Sequence, residues 1–177
     1  MVTTKDQTTS SFPIDSIRNS DYDKTTTWNG TAWSHSAPDV SDNAVIDGSY
    51  NDKGFSCLNL TVNAGKDFTI ASDTQFVAGD LLLKSDAANG TATLIDIGTL
   101  TVVGTTQVEQ YLTVNRPFWY LSSPLSSSTT TTFTNAEHPN LVLHYNETTS
   151  SYSGVLATNT NLAVGKGYVV MLSDTSD

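Results

Sequence analysis

The chain has 177 residues, enough for one domain or for two small domains that share a boundary. Acidic residues outnumber basic ones 18 to 8, giving a net charge of −10, and the chain contains 28 Thr and 21 Ser. Nucleic-acid binding requires a basic surface, so this charge argues strongly against nucleic acid, and against anionic lipid, as partners. No run approaches the ~18 consecutive apolar residues of a membrane span, so we expect no membrane insertion.

The cysteine content and the first residues bear on the cellular compartment. Cys57 is the only cysteine, so neither an internal disulfide nor a cysteine metal site can form. The first six residues lack the charged and apolar regions of a signal peptide. We expect either a cytoplasmic protein or a mature or truncated piece of an exported one.

The residue pattern predicts an all-β fold. Apolar residues at helical spacing never persist beyond about two turns, whereas Thr, Val, Tyr, Phe and Ile recur in short alternating runs bounded by Gly, Asn and Asp. β-branched and aromatic side chains of this kind fit a pleated, half-buried surface.

Residues 1–27 form a polar N-terminal arm in the predicted domain organisation. Their apolar positions are Phe12, Ile14 and Ile17, which alternate imperfectly with polar residues and have no neighbouring run to pack against. Two interpretations remain open at this point: a disordered arm, or an inter-subunit strand donated to an open sheet edge elsewhere.

Residues 28–115 carry the most regular pattern. Trp28 and Trp33 flank an Asn-Gly pair, which is typical of a type I′ hairpin. Short apolar segments then follow one another, and equivalent positions return after about twenty residues, from Val62 to Leu83 and from Leu83 to Val102. This interval predicts a β-solenoid, or parallel β-helix, with an antiparallel sandwich of short hairpins as the alternative.

Residues 116–177 differ in composition from the preceding region, and their pattern predicts a small antiparallel β-sheet or sandwich. The segment 116–121 is densely aromatic, and residues 126–132 are seven consecutive hydroxyl side chains, which predict an exposed loop. Strand-like runs at 141–145 and 168–172 follow, separated by a polar turn at 146–154.

Several phrases in this order resemble the repetitive, secreted surface proteins of Bacteroidetes-type bacteria, adhesin-like chains exported by the type IX route. The phrases are TWNGTAWS at 27–34, APD at 37–39, NAVIDG at 43–48, CLNLTVNAG at 57–65, GTLTV at 98–102, RPFWYLSSP at 116–124, YNE at 145–147 and LAVGKGY at 162–168. The resemblance covers roughly residues 25–172. It implies a location outside the cell or on the cell surface and a structural or adhesive role, and it supplies no catalytic residues.

The polar residues predict no catalytic, metal or cofactor site. His35, His138 and His144 share no metal-ligand spacing with another His, Cys or carboxylate, and no Gly-x-Ser-x-Gly elbow occurs. A β-helical polysaccharide-degrading enzyme would need clustered carboxylates with Lys or Arg, yet only Arg18 and Arg116 are present. Loop carboxylates suit Ca²⁺, but they lack the EF-hand spacing and are typical of solvated loops; they are Asp21, Asp23, Asp39, Asp42 and Asp47.

Two sets of residues are candidates for contact with sugar. The tryptophans Trp28, Trp33 and Trp119, together with Tyr120 and Tyr152, could stack on sugar rings, or else fill a β core. Candidate glycosylation sites are the sequons at Asn29, Asn59, Asn89 and Asn146, and Ser16 in an Asp-Ser-Ile motif that resembles the O-glycosylation acceptor of Bacteroidetes.

These observations favour a non-catalytic extracellular structural glycoprotein, either a module of a surface adhesin or a subunit of a filament. The expected partners are copies of itself in a head-to-tail assembly, or neighbouring modules of a longer chain, with glycans as a further candidate. The alternatives are a carbohydrate-binding module of a secreted protein and, less favoured, the β-helical enzyme.

Overall fold

The computed structural model describes residues 24–71, 73–113, 118–133 and 141–172. These residues form strands and one short 3₁₀ helix, Thr130–Phe133, without an α-helix, which confirms the all-β prediction. Of the predicted arm 1–27, residues 1–23, with Phe12, Ile14, Ser16 and Ile17, lie outside the described residues. The strands are β1 Thr25–Trp28, β2 Asn43–Ile46, β3 Ser56–Cys57, β4 Leu60–Val62, β5 Asp67–Ile70, β6 Thr74–Val77, β7 Leu81–Leu83, β8 Ser85–Asp86, β9 Gly90–Thr91, β10 Thr93–Asp96, β11 Thr99–Val102, β12 Thr106–Val108, β13 Trp119–Ser122, β14 Leu141–Asn146, β15 Ser151–Tyr152 and β16 Gly167–Met171. Residues 25–27 are not part of an arm, because they form strand β1 and pair with β2.

Most of the strands pair in parallel, in three sheets. The first sheet has the order β1-β2-β4-β7-β12, the second pairs β5 with β10, and the third has the order β11-β6-β3. The chain visits these sheets in rotation, because β4, β5 and β6 lie in the first, second and third sheets and β7 returns to the first. The parallel pairing rules out the alternative of a sandwich of antiparallel hairpins for these three sheets.

The strand register bears on the predicted interval of about twenty residues. Val62 pairs with Leu83, 21 residues later, as the spacing indicated. Leu83 and Val102 are not equivalent, because Val102 lies in the third sheet and pairs with Val77, 25 residues earlier. The interval lengthens where the β8–β9 hairpin is inserted between the first-sheet strand β7 and the second-sheet strand β10.

The interior of the parallel sheets is formed by alternate residues of each strand. Leu60 and Val62 of β4 are buried while Thr61 between them is not, and β7 repeats the pattern with Leu81 and Leu83. Because the strands pair in register, these side chains stack on one another, and their apolar surface is shielded from water along the sheet.

A row of polar side chains marks the corner that leads into the first sheet. Asn59 Nδ2 donates to Asn43 Oδ1 over 2.8 Å, and Asn59 Oδ1 accepts the backbone N–H of Asp80 over 2.8 Å. Asp80 Oδ1 then accepts the N–H and the hydroxyl of Thr105, over 2.7 and 2.8 Å. The four residues stand at or just before the start of β2, β4, β7 and β12, so the row ties successive strands together.

The predicted hairpin at residues 28–33 forms with a different turn. Trp28 and Trp33 make an antiparallel bridge, and Asn29 N–H donates to Ala32 O over 3.1 Å. The central residues of this turn are Gly30, which adopts a φ of 101°, and Thr31, which does not have a positive φ. The turn is therefore not type I′, which requires positive φ at both central residues.

Residue contacts divide the chain into two compact units. Among the described residues, the first unit holds 24–84 and 92–107, and the second holds 85–91 and 108–172. The second unit contains the β8–β9 hairpin and an antiparallel sheet of order β13-β16-β14-β15, the arrangement predicted for the C-terminal region. Its buried core comprises Val142, Leu162, Tyr168 and Val170.

The run of seven hydroxyl residues is not simply an exposed loop. Thr130 begins the 3₁₀ helix and is only 1% exposed. Its hydroxyl donates to Ala157 O over 2.8 Å and accepts the N–H of Thr160 over 3.1 Å. A small side chain with both capacities of its hydroxyl used can be buried at little cost, which composition alone does not reveal.

Candidate functional site

The outward side of the antiparallel sheet carries a group of exposed tyrosines. Tyr120 pairs with Val169, and Leu143 pairs with the same Val169 from the other side. Because side chains alternate along a strand, Tyr145 shares the face of Leu143, and Tyr152 pairs with Tyr145. We call Tyr120, Tyr145 and Tyr152 the tyrosine face.

The three tyrosines are accessible and contact one another. Tyr120 is 72% exposed, Tyr145 46% and Tyr152 51%, whereas Val169 beneath them is 7% exposed. The rings of Tyr145 and Tyr152 meet edge to face, with centroids 5.2 Å apart and an interplanar angle of 68°. The neighbouring side chain of Tyr120 raises the pKa of Tyr152. The ring contact holds Tyr145 and Tyr152 against each other.

A cleft of about 650 Å³ lies against the tyrosine face, within the ~300–1,000 Å³ typical of small-molecule sites. Besides the three tyrosines, Glu147 and Lys166 line it, so one carboxylate and one ammonium group are available. Gly167 pairs with Ser122 on the same side of the sheet, and a Cβ placed on Gly167 would meet no atom within 4 Å. The missing side chain at Gly167 therefore leaves part of the cleft open.

Chemically, this surface combines flat apolar rings with hydrogen-bonding groups of both kinds. Each tyrosine presents an apolar ring and a hydroxyl that both donates and accepts. Lys166 supplies donors only and the ionised Glu147 supplies acceptors only. This combination of groups is suited to binding a ligand.

The second unit has another, larger cleft of about 820 Å³. Its described walls are mainly aliphatic and aromatic, with Leu112, Leu125, Phe133 and Leu162 among them, and they include the carboxylate of Glu109. Hydroxyl and amide side chains also line this cleft, but none of its described lining residues is cationic, in contrast with the cleft at the tyrosine face, which Lys166 lines.

The predicted sugar-stacking tryptophans lie elsewhere and are engaged within the chain. Trp28 and Trp33 are half-buried in an aromatic cluster, where the centroid of Trp28 lies 5.1 Å from that of Tyr50 and 5.6 Å from that of Trp33. Trp28 Nε1 donates to Ser49 O over 3.1 Å. Trp119 is half-buried in β13, and its Nε1 donates to Thr113 O over 3.1 Å. Of the five aromatics named from the sequence, Tyr120 and Tyr152 are those that reach the tyrosine face.

The four sequon asparagines differ in accessibility. Asn29, Asn89 and Asn146 are exposed in turns, where each side-chain oxygen or amide bonds the local chain. Asn59 is half-buried, and both ends of its carboxamide are hydrogen-bonded. Asn59 would have to leave its corner row before it could accept a glycan.

The structure also places the remaining titratable candidates. His35 is exposed beside Ser34, His144 Nδ1 is buried without a hydrogen-bond partner, and His138 lies outside the described residues. Asp39 binds the hydroxyl and N–H of Ser41, which lower the pKa of its carboxyl. Asp42 and Asp47 also bond within the chain, and Asp21 and Asp23 are not among the described residues. Within the described ranges, no group of three His, Cys, Asp or Glu residues could hold a metal ion.

Tyr145, Glu147 and Lys166 were not singled out from the sequence. A signal existed for Tyr145, since Leu141, Leu143 and Tyr145 alternate with Val142 and His144. Alternation assigns two faces to the strand, but it does not say which face is covered. Glu147 and Lys166 lie in turns, where spacing carries no such signal.

No protein family, curated protein or solved structure matches this chain. In the part of the chain that the structure describes, no helix is long and apolar enough to cross a membrane.

Proposed function

We propose that this chain is a non-catalytic structural module of an extracellular bacterial surface protein, an adhesin module or a filament subunit held by β-strand contacts. The observation that carries the proposal is the rotation of successive strands through three parallel sheets. Such a path is that of a parallel β-helix, in which each turn stacks on the preceding one and the chain acts as a stiff spacer.

The two ends of the parallel sheets differ from each other, which supports a head-to-tail assembly. At one end, the β1 edge is covered by its own chain, because Thr27 N–H donates to Ser34 Oγ over 3.0 Å and Ser34 N–H donates to Thr27 O over 2.8 Å. At the other end, β10, β11 and β12 are the last described strands of the three sheets. Open edges of this kind accept a further strand.

The burial of side chains in β10 and β11 also supports assembly at this end. Phe68 and Val77 are fully buried, whereas Leu94 and Val102, their paired counterparts in β10 and β11, are only half-buried. Half-buried apolar side chains beside open strand edges favour a further layer of protein. A head-to-tail contact that does not close on itself would build a filament.

Electron microscopy of the purified full chain, with analytical ultracentrifugation, tests the proposal. We expect filaments that lengthen with protein concentration, or a stable contact between copies at high concentration. A chain that remains monomeric and uniform at every concentration would contradict the filament form of the proposal. Surface labelling of the native cells tests the location, and a signal confined to the cytoplasm would contradict it.

A further inference from the structure

We propose that the tyrosine face and its cleft form a binding site for a neutral oligosaccharide. This inference goes beyond the structural role and does not depend on it. The proposal starts from an unusual distribution of side chains, because three aromatic residues are exposed together on a sheet whose opposite face is the core of the second unit.

The rings supply the apolar part of the site. One face of a pyranose ring presents C–H groups, and these pack against a flat aromatic ring. The edge-to-face contact of Tyr145 with Tyr152 sets two such surfaces at a steep angle, and Tyr120 adds a third ring that is 72% exposed. The rings of Tyr145 and Tyr152 are in contact before any ligand arrives, so less side-chain freedom is lost on binding.

The charged residues favour a neutral ligand. Lys166 and Glu147 line the same cleft, so an anionic ligand would meet the carboxylate and a cationic ligand would meet the ammonium group. A sugar hydroxyl both donates and accepts, and it can therefore bond Lys166, Glu147 and the tyrosine hydroxyls together. This pairing of opposite hydrogen-bonding capacities distinguishes a carbohydrate from a purely apolar ligand.

The shape of the surface argues against a second copy of the chain as the occupant. A sheet packed on another sheet needs a continuous face, whereas here the surface is a cleft of about 650 Å³ with no side chain at Gly167.

Calorimetric titration of the full chain with cellopentaose, xylopentaose and mannopentaose tests the proposal. We expect saturable binding of at least one of them. Tyr120→Ala and Tyr145→Ala should each weaken that binding about tenfold, equivalent to ~1.4 kcal/mol. Tyr152→Phe keeps the ring and should weaken it less than Tyr152→Ala. The matched control is Tyr111→Ala, since Tyr111 is 45% exposed but lines the other cleft.

A second pair of variants fills space without removing any group. Gly167→Val should block the cleft and abolish binding. Gly154→Val should leave binding unchanged, because Gly154 does not line the cleft. Both variants should fold, because a Cβ at either glycine meets no atom within 4 Å. Circular dichroism and thermal unfolding show whether each variant remains folded. The proposal is overturned if none of the three sugars binds in the millimolar range, or if binding survives Gly167→Val and both alanine variants. It is also overturned if the tyrosine variants convert a dimer into a monomer, since the face would then be a contact between copies.

Discussion

Cys57 and Gln75 lie side by side in the interior of the parallel sheets. Both are fully buried, and Gln75 satisfies its side chain by accepting the Phe55 N–H over 3.1 Å and donating to Cys57 Sγ over 3.8 Å. Burial raises the pKa of the Cys57 thiol from its ordinary 9.0 to about 12, although the bond from Gln75 opposes the shift. Cys57 is therefore a buried thiol that keeps its proton at neutral pH.

The raised pKa of Cys57 predicts a loss of stability in alkali. The unfolded chain ionises its thiol near pH 9, while the native chain keeps the proton. The contribution of the protonated thiol to the free energy of unfolding is therefore complete below pH 9, and it is lost as the pH rises towards 12. Urea unfolding between pH 8 and pH 10.5 should show a falling free energy of unfolding. Cys57→Ala should make that fall shallower, by up to ~1.4 kcal/mol per pH unit. Equal slopes for the two proteins would contradict the prediction.

The corner row makes a second prediction at the scale of one residue. Asn59→Ala removes the acceptor of the Asp80 N–H and the donor to Asn43 Oδ1. We expect the free energy of unfolding to fall by ~1–3 kcal/mol, because one backbone donor loses its partner. Asn146→Ala is the matched control at an exposed sequon, and chemical denaturation of both variants measures the difference. A smaller loss for Asn59→Ala than for Asn146→Ala would show that the row does not stabilise the fold.

At the scale of elements, strand β16 shows how the two faces of one sheet are used. Tyr168 and Val170 face the core of the second unit, while Val169 between them is buried beneath the tyrosine face. A strand covered on both faces reads as a continuous apolar run rather than an alternating one. The tyrosines therefore shield an apolar residue while remaining accessible themselves.

At the corners between parallel strands, the backbones of successive turns approach each other closely. A substitution at Gly104 tests this close approach. Its N–H donates to Gly79 O over 2.9 Å, and an added Cβ would lie 2.5 Å from both that oxygen and Asp80 Oδ1. Gly104→Ala should lower the free energy of unfolding by ~1–3 kcal/mol through overpacking. Gly154→Ala meets open space and should change it by less than ~0.5 kcal/mol. Thermal and urea unfolding compare the two, and equal stabilities would refute the close approach.

At the scale of the whole molecule, the N-terminal arm and the open edges predict how copies assemble. We expect Phe12, Ile14 and Ile17, which lie outside the described residues, to pair with the edges of β10–β12 in the next copy. Deleting residues 2–23 should abolish filaments while leaving the described fold intact, because Lys24, whose carbonyl accepts the Asn43 N–H, is retained. Electron microscopy of the truncated chain gives the result.

A full-length control separates the apolar side chains from the length of the arm. Replacing Phe12, Ile14 and Ile17 by Ser keeps the backbone of the arm but removes the groups that would pack on the neighbouring copy. We expect the same loss of filaments as on deletion. Filaments that persist in both variants would show that assembly does not use a donated strand.

The sequence by itself determined the all-β class and the alternation of short strands, but it left most of β1 within the predicted arm and did not indicate the β8–β9 hairpin. Alternation is a local property, and in Leu60, Thr61 and Val62 it fixes which side chains share a face. The 21-residue return from Val62 to Leu83 was also readable, because no insertion interrupts that stretch.

Only the tertiary structure decided which strands pair and which faces stay open. The β8–β9 insertion moves the partner of Val102 from Leu83 to Val77, and no spacing rule in the sequence marks where an insertion leaves the repeat. The tyrosine face likewise requires Tyr120, Tyr145 and Tyr152 to meet from three strands. Pairing between distant segments depends on loop closure and on the competition among all available edges, so it belongs to the whole chain and not to any one window of it.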